Sequence, residues 1–186
     1  MKKLIIAAVV GGLILFVWQM LSFMMLQLHS AQMQYTDKQD EILAVLESTG
    51  IEEGEYFLPN TASATPSEEE RIAYVDKYTG KPWARLSYHK EMNMSMGMNM
   101  VRGLLVDIVA AFLLAWLLLK FAHLDMKTTL IASIAIGLVG YLSISYLNSV
   151  WYETNSWPEL IDTIAQWGLV GVWLGWYLNR NPGTSD

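Results

Sequence analysis

The chain has 186 residues, 53% of them hydrophobic, a formal net charge of −6 and no cysteine. Missing thiols exclude disulfides, zinc-thiolate sites, lipid attachment through Cys and thiol nucleophiles. The excess of acid argues against a nucleic-acid partner, which requires a basic face.

The first element is an apolar run, Leu4–Leu28, behind Met1-Lys2-Lys3. A signal-peptide core runs only ~7–15 residues. This run is longer, and His29-Ser30-Ala31 offers a poor cleavage site, so residues 1–29 are expected to stay as a membrane anchor. Three further runs follow, Val101–Leu119, Thr128–Leu147 and Leu160–Leu178. Each approaches the ~20 residues that cross a ~30 Å hydrocarbon layer as a helix. The second and fourth carry one carboxylate each, Asp107 and Asp162.

Between the first two runs, residues 30–100 hold 12 acids and 6 bases, which accounts for the whole net charge. Thr36-x-x-Gln39 and Ser67-x-x-Glu70 read as capping boxes opening two helices, with Gly50 and Gly80 as their stops. Glu55–Leu58, ended by Pro59, and Trp83–Tyr88 read as short strands. The order implies a small α+β cap that partly buries Ile42, Leu46, Tyr56, Leu58, Ile72 and Tyr74. A two-stranded sheet is marginal alone, so the cap is expected to lean on something else.

The cap ends in Met92-Asn93-Met94-Ser95-Met96-Gly97-Met98-Asn99-Met100, with His89 close by. Thioether sulfur is a soft ligand for Cu(I). In an extended segment, alternate side chains share a face, which would gather Met92, Met94, Met96, Met98 and Met100. The competing account is packing, since methionine fills irregular gaps. No metal or other cofactor is otherwise expected.

Basic residues near the span ends set orientation. Lys2, Lys3, Lys120, Lys127 and Arg180 fall on one side if both termini are cytoplasmic, and Ser149–Glu159 on the other side has none. Arg102 dissents. Counting ~1.5 Å per residue from the outer ends puts Gln19 ~12 Å deep, Asp107 and Gln166 ~9 Å and Asp162 ~3 Å. Ser143, Ser145 and Asn148 fall in the same outer half. A buried carboxylate in a membrane by default marks a site. This outer-leaflet polar cluster is either a hydrogen-bonded clamp between helices or a place for a ligand, proton or cation. Asp107 is expected to face the bundle, with partners from Gln19, Ser143, Ser145, Gln166 or Arg102. Gly168, Gly171 and Gly175 share one helix face, and Gly137 and Gly140 do the same for the third span. Small residues of this kind let helices approach closely, within the chain or across a dimer seam.

The first span carries Gly11-Gly12 and Phe16-Val17-Trp18. Tyr56-Phe57-Leu58-Pro59, Met94-Ser95-Met96-Gly97 and Gly103-Leu104-Leu105-Val106-Asp107 follow, then a Trp-rich third connection and an Asp early in the last span. In this layout the chain resembles uncharacterised four-span bacterial inner-membrane proteins, a resemblance that implies architecture and no activity.

The expected fold is therefore an all-α membrane protein: a four-helix transmembrane bundle with a small extracytoplasmic α+β cap between spans 1 and 2. Residues 1–29 form the first helix, 30–100 the cap, 101–180 the other three helices and 181–186 a cytoplasmic tail. The expected role is that of a non-enzymatic accessory or interaction protein of a bacterial inner membrane, a candidate subunit of a larger assembly. The bilayer and other membrane proteins are its partners. The alternative is a small binding or transport protein using the outer polar cluster or a Met-rich Cu(I) site. An enzyme would need clustered acid, base and electrophilic groups, and only Asp107, Asp162, Gln19, Gln166 and His29 are candidates.

Overall fold

The computed structural model describes residues 1–180; the expected tail, 181–186, lies outside the described residues. Two compact units form, one from Met1–Gln34 with the chain from Ser95 onward, the other from Tyr35–Met94.

The first unit is helical. Helix α1 spans Lys2–Met20 and runs on as a π-helical turn, Leu21–Met25. After the second unit come α4 (Met96–Leu118), α5 (Met126–Gly140) with a π-helical continuation Tyr141–Tyr146, α6 (Leu147–Tyr152) and α7 (Trp157–Asn179). Three helices are long and apolar enough to cross a membrane: Lys2–Met25, Met96–Leu118 and Met126–Tyr152. The fourth expected span, α7, matches them in length, but Glu159, Asp162, Gln166 and four tryptophans dilute its hydropathy.

Helix α1 packs on α4 and on α7, and α7 packs on α5, whereas α4 and α5 barely meet. The helices thus follow the order α4-α1-α7-α5. The core lies between α4, α1 and α7, with Ala7 and Leu15 on α1, Ala111, Leu114, Ala115 and Leu118 on α4, and Val170, Leu174 and Leu178 on α7. Small residues make these approaches possible. A Cβ on Gly12 would lie 2.6 Å from the Ile108 Cα, and one on Gly11 2.9 Å from the Ala111 Cβ. On the α5–α7 side, Gly137 lies against the Trp167 ring, Gly171 against Leu130 and Ser133, and Gly175 against Met126. Gly140 and Gly168, expected to act likewise, have nothing within 4 Å of a would-be Cβ among the described residues. They allow no close approach there.

One end of this unit is closed by Lys3, whose Nζ donates to Leu178 O at 2.8 Å and Arg180 O at 3.1 Å. The ammonium meets the unpaired carbonyls and negative dipole end of α7. Only 17–28% of each apolar span is buried, so most of its hydrophobic surface is left for another apolar phase.

The second unit holds α2 (Gln39–Ser48), β1 (Gly54–Leu58), α3 (Glu68–Tyr78) and β2 (Ala84–Tyr88). The strands pair antiparallel, Tyr56 opposite Leu86. The Ser67 box is present in full: Ser67 Oγ accepts from Glu70 N at 3.2 Å, and Glu70 Oε2 from Ser67 N at 2.7 Å. The Thr36 box is not. Helix α2 begins only at Gln39, behind Lys38, and Thr36 instead accepts from Lys38 N at 3.3 Å in a turn. Gly50 (φ 66°) and Gly80 (φ 76°) end the helices in the left-handed region that glycine enters without a Cβ clash. The expected core is only half present: Leu46, Tyr56 and Tyr74 are half-buried, but Ile42, Leu58 and Ile72 are exposed. Tyr74 is held by its hydroxyl, which donates to Pro59 O at 3.0 Å. Two strands and two short helices supply too little area to cover both apolar faces.

Gly12→Val should destabilise the helical unit by about 1–3 kcal/mol or more, because the added atoms meet the backbone of Ile108 rather than a movable side chain. Gly168→Ala should be neutral. Thermal unfolding in detergent followed by circular dichroism checks both; an unchanged Gly12→Val melt would mean that α1 and α4 do not meet at Ile108.

Candidate functional site: the buried carboxylates Asp107 and Asp162

Asp107 and Asp162 are buried, and each is met by a side chain from α1. Gln19 Nε2 donates to Asp107 Oδ1 at 2.9 Å, and Trp18 Nε1 to Asp162 Oδ1 at 3.0 Å. Neighbouring helix residues point ~100° apart, so adjacent positions reach the helices on either side.

Asp162 has a second partner. The π-turn and a left-handed Gln27 (φ 50°) swing the chain after α1 back over the unit, with Leu28 N donating to Ser22 O at 3.1 Å. His29 then sits 6% exposed, its Nε2 2.8 Å from Asp162 Oδ2. Its Nδ1 lies 2.9 Å from Gln32 Oε1. The Gln32 amide is oriented by its other end, since Nε2 faces two acceptors, Asn155 O and Glu159 Oε1, each at 2.7 Å. Both groups facing the imidazole are therefore acceptors, and only the doubly protonated ring satisfies both. Phe23, on the π-turn, stacks parallel to it with centroids 4.0 Å apart, a placement that favours a cationic ring. π-turns recur where a helix must re-aim side chains for a site.

Burial disfavours the charged imidazole, but the hydrogen bonds to Asp162 and Gln32, and the negative charges of Asp162 and Glu159, outweigh it. His29 titrates above its ordinary 6.5.

The polar ring expected in the outer half is thus divided. Gln19 joins Asp107, and Asp162 joins Trp18 and His29. Ser143 is exposed and its hydroxyl returns to Val139 O at 2.6 Å. Ser145, Asn148 and Gln166 make no side-chain hydrogen bond among the described residues. Arg102 does not pair with Asp107; it lines a shallow groove of about 370 Å³ with Gln19, Asn99, Gly103, Val106 and Asp107. Asp107 Oδ2 and Ser22 Oγ are buried without a partner among the described residues. On the π-turn after α5, Tyr141 reaches Ser156 at 3.0 Å between the hydroxyl oxygens.

The structure adds Trp18, Gln32 and Tyr141 to the polar network. His29 had one legible signal, a histidine just past a span end at the membrane side where Asp162 emerges. Gln32 and Tyr141 depend on the π-turns, which leave no mark in hydrophobic periodicity, and Trp18 reads as an interfacial anchor.

The methionine run is not one extended segment. Met92 and Met94 belong to the second unit with His89, while Met96, Met98 and Met100 form the first turns of α4. On a helix, residues two apart point to opposite sides, so the alternation that would gather sulfurs on a strand separates Met98 from Met96 and Met100. No group of three or more His, Asp or Glu side chains able to hold a metal occurs among the described residues.

No protein-family model, curated protein or solved structure matches this chain.

If His29 is the imidazolium, its pairing stabilises the fold fully below about pH 6.5 and is lost as pH rises through its higher folded value. The melting temperature in detergent should fall over that alkaline-going window. His29→Gln should flatten this dependence, and His29→Ala should cost about 3–5 kcal/mol by leaving Asp162 half-paired. A melt that strengthens as His29 deprotonates would contradict the assignment.

Proposed function

We propose that this is a multi-pass membrane protein that works by interaction rather than catalysis, an accessory component of a larger bacterial inner-membrane assembly. Helix α7 serves as a fourth span: its Asp162 is paired with His29, its Trp173 Nε1 donates to Ala7 O on α1 at 3.3 Å, and its length matches the others. Both termini lie in the cytoplasm and 30–100 outside. Two of the basic groups that support this orientation, Lys3 and Arg180, line a common cleft with Leu118, and Arg180 stacks 4.0 Å over Trp176.

The observation that carries the interaction role is the uncovered apolar stripe on α2. Ile42, Leu43 and Val45 are 49%, 55% and 56% exposed, and the helix buries no residue. Ile72 and Val75 on α3 are exposed to the same degree. An acidic segment is a poor match for anionic lipid, so the stripe suits a protein partner with an apolar groove and a basic rim. A non-catalytic role is further supported by His29, whose two ring nitrogens are both engaged within the protein, leaving neither for a substrate.

A photo-crosslinking residue at Val45 should give one discrete adduct in native membranes, and Ile42→Glu should abolish it without lowering protein level. Adducts that are diffuse, or unaffected by Ile42→Glu, would count against a partner on α2. A reporter fused after Asp186 should respond as cytoplasmic; an external response would remove one span from the count.

A further inference from the structure

Asp107 is 6% exposed and has one oxygen occupied, by Gln19, while the other lacks a partner. A buried carboxylate is stable when each oxygen receives a donor. Asp107 also lines a groove between α1 and α4 with Gln19, Asn99, Arg102, Gly103 and Val106, and its unpartnered oxygen is itself buried. Three features define what enters the groove. First, Asp107, the Gln19 carbonyl oxygen and the Asn99 carbonyl oxygen are acceptors, a set that fits the three N–H donors of a primary ammonium. Second, Arg102 stands at the mouth, about 7.5 Å nearer the start of α4 than Asp107. Its guanidinium repels a simple cation or polyamine and favours a phosphate beside the ammonium. Third, the groove borders bare apolar surface: Val101, Leu105, Val106 and Val109 are 55–66% exposed.

From these we infer that the groove holds the ammonium–phosphate headgroup of an aminophospholipid, phosphate on Arg102 and ammonium on Asp107, with the acyl chains along α4. The geometry folds the ammonium inward toward the buried carboxylate instead of letting it lie outward in water. A donor of N–H bonds can repay that displacement. A quaternary choline cannot, because it leaves Asp107 Oδ2 as it was. The inference rests on the membrane location proposed above and is independent of the partner on α2.

Native mass spectrometry of the full chain in mild detergent tests it, with phosphatidylethanolamine, phosphatidylcholine or phosphatidylglycerol added at matched acyl composition. Phosphatidylethanolamine should bind at about tenfold lower concentration than the other two. Asp107→Asn should erase the preference over phosphatidylcholine, and Arg102→Gln should weaken phosphatidylethanolamine about tenfold. Arg102 is exposed, so its variant keeps the fold and the test stands even if Asp107→Asn does not accumulate. Equal binding of phosphatidylethanolamine and phosphatidylcholine, or phosphatidylethanolamine binding that Arg102→Gln leaves unchanged, overturns the assignment. Displacement of the lipid by an equal concentration of soluble phosphoethanolamine overturns the lipid as its source. Protein that stays in solution without detergent would overturn the membrane location instead, a result separable from either.

Discussion

The helical unit depends on two adjacent residues of α1 each donating to a buried carboxylate on a different neighbour. Trp18 reaches Asp162 on α7 and Gln19 reaches Asp107 on α4. A carboxylate away from water with no partner costs several kcal/mol, and lipid supplies no donor. The two bonds therefore fix the rotation of α1 about its own axis, since a turn of one residue would strand both carboxylates. With that rotation fixed, Gly11 and Gly12 face α4 and Ala7 faces the core, which sets how closely α1 and α4 approach. The polar end specifies the register and the small-residue face exploits it.

The two carboxylates are not equivalent. Asp162 lies near the start of its helix and is fully committed, to an indole on one oxygen and an imidazole on the other. Removing water from this pair leaves its charges balanced. The network extends through Gln32 to Asn155 and Glu159, tying the chain that leaves α1 to the start of α7. Asp107 lies deeper along its helix and is committed on one oxygen only. The same residue type thus serves as a closed clasp in one place and as an unfinished site in the other. What differs is the π-turn: it returns His29 to α7, and nothing comparable returns to α4.

The parts of the architecture governed by long-range composition were legible in the sequence. Runs of apolar residues longer than any globular core requires gave the long helices, and their ends were placed within a few residues. Ser67 and Glu70 announced α3 because a capping box is a local interaction that needs no tertiary help. Thr36 and Gln39 show the same pattern without its outcome: the turn at Thr36 delays the helix, and nothing in the spacing of the two residues distinguishes the cases. Glycine was readable only in part. Gly137 and Gly171 share a periodicity with Gly140 and Gly168, and which member meets a neighbour depends on interhelical rotation, which no single helix encodes. The α4–α1–α7 connections could not be read from depth alone, because residues at one depth on four helices can pair in several ways. Gln19 with Asp107 was one of those ways; Trp18 with Asp162 was hidden because an indole reads as an interfacial anchor.

The methionine run shows how local conformation decides chemistry. An alternating sequence is a one-faced array only on a strand. At Met96 the chain becomes helical, because the apolar run that follows is long enough for helix to satisfy its backbone without water. That requirement extends backward through the first turns of α4, and the sulfurs are distributed around the helix as a consequence. The long apolar helix thus imposes its backbone rule on a segment whose side chains suggest another role. The same extension brings Asn99 and Arg102 onto a continuous helix with Asp107, and so creates the groove that a strand ending at Met100 would not have formed.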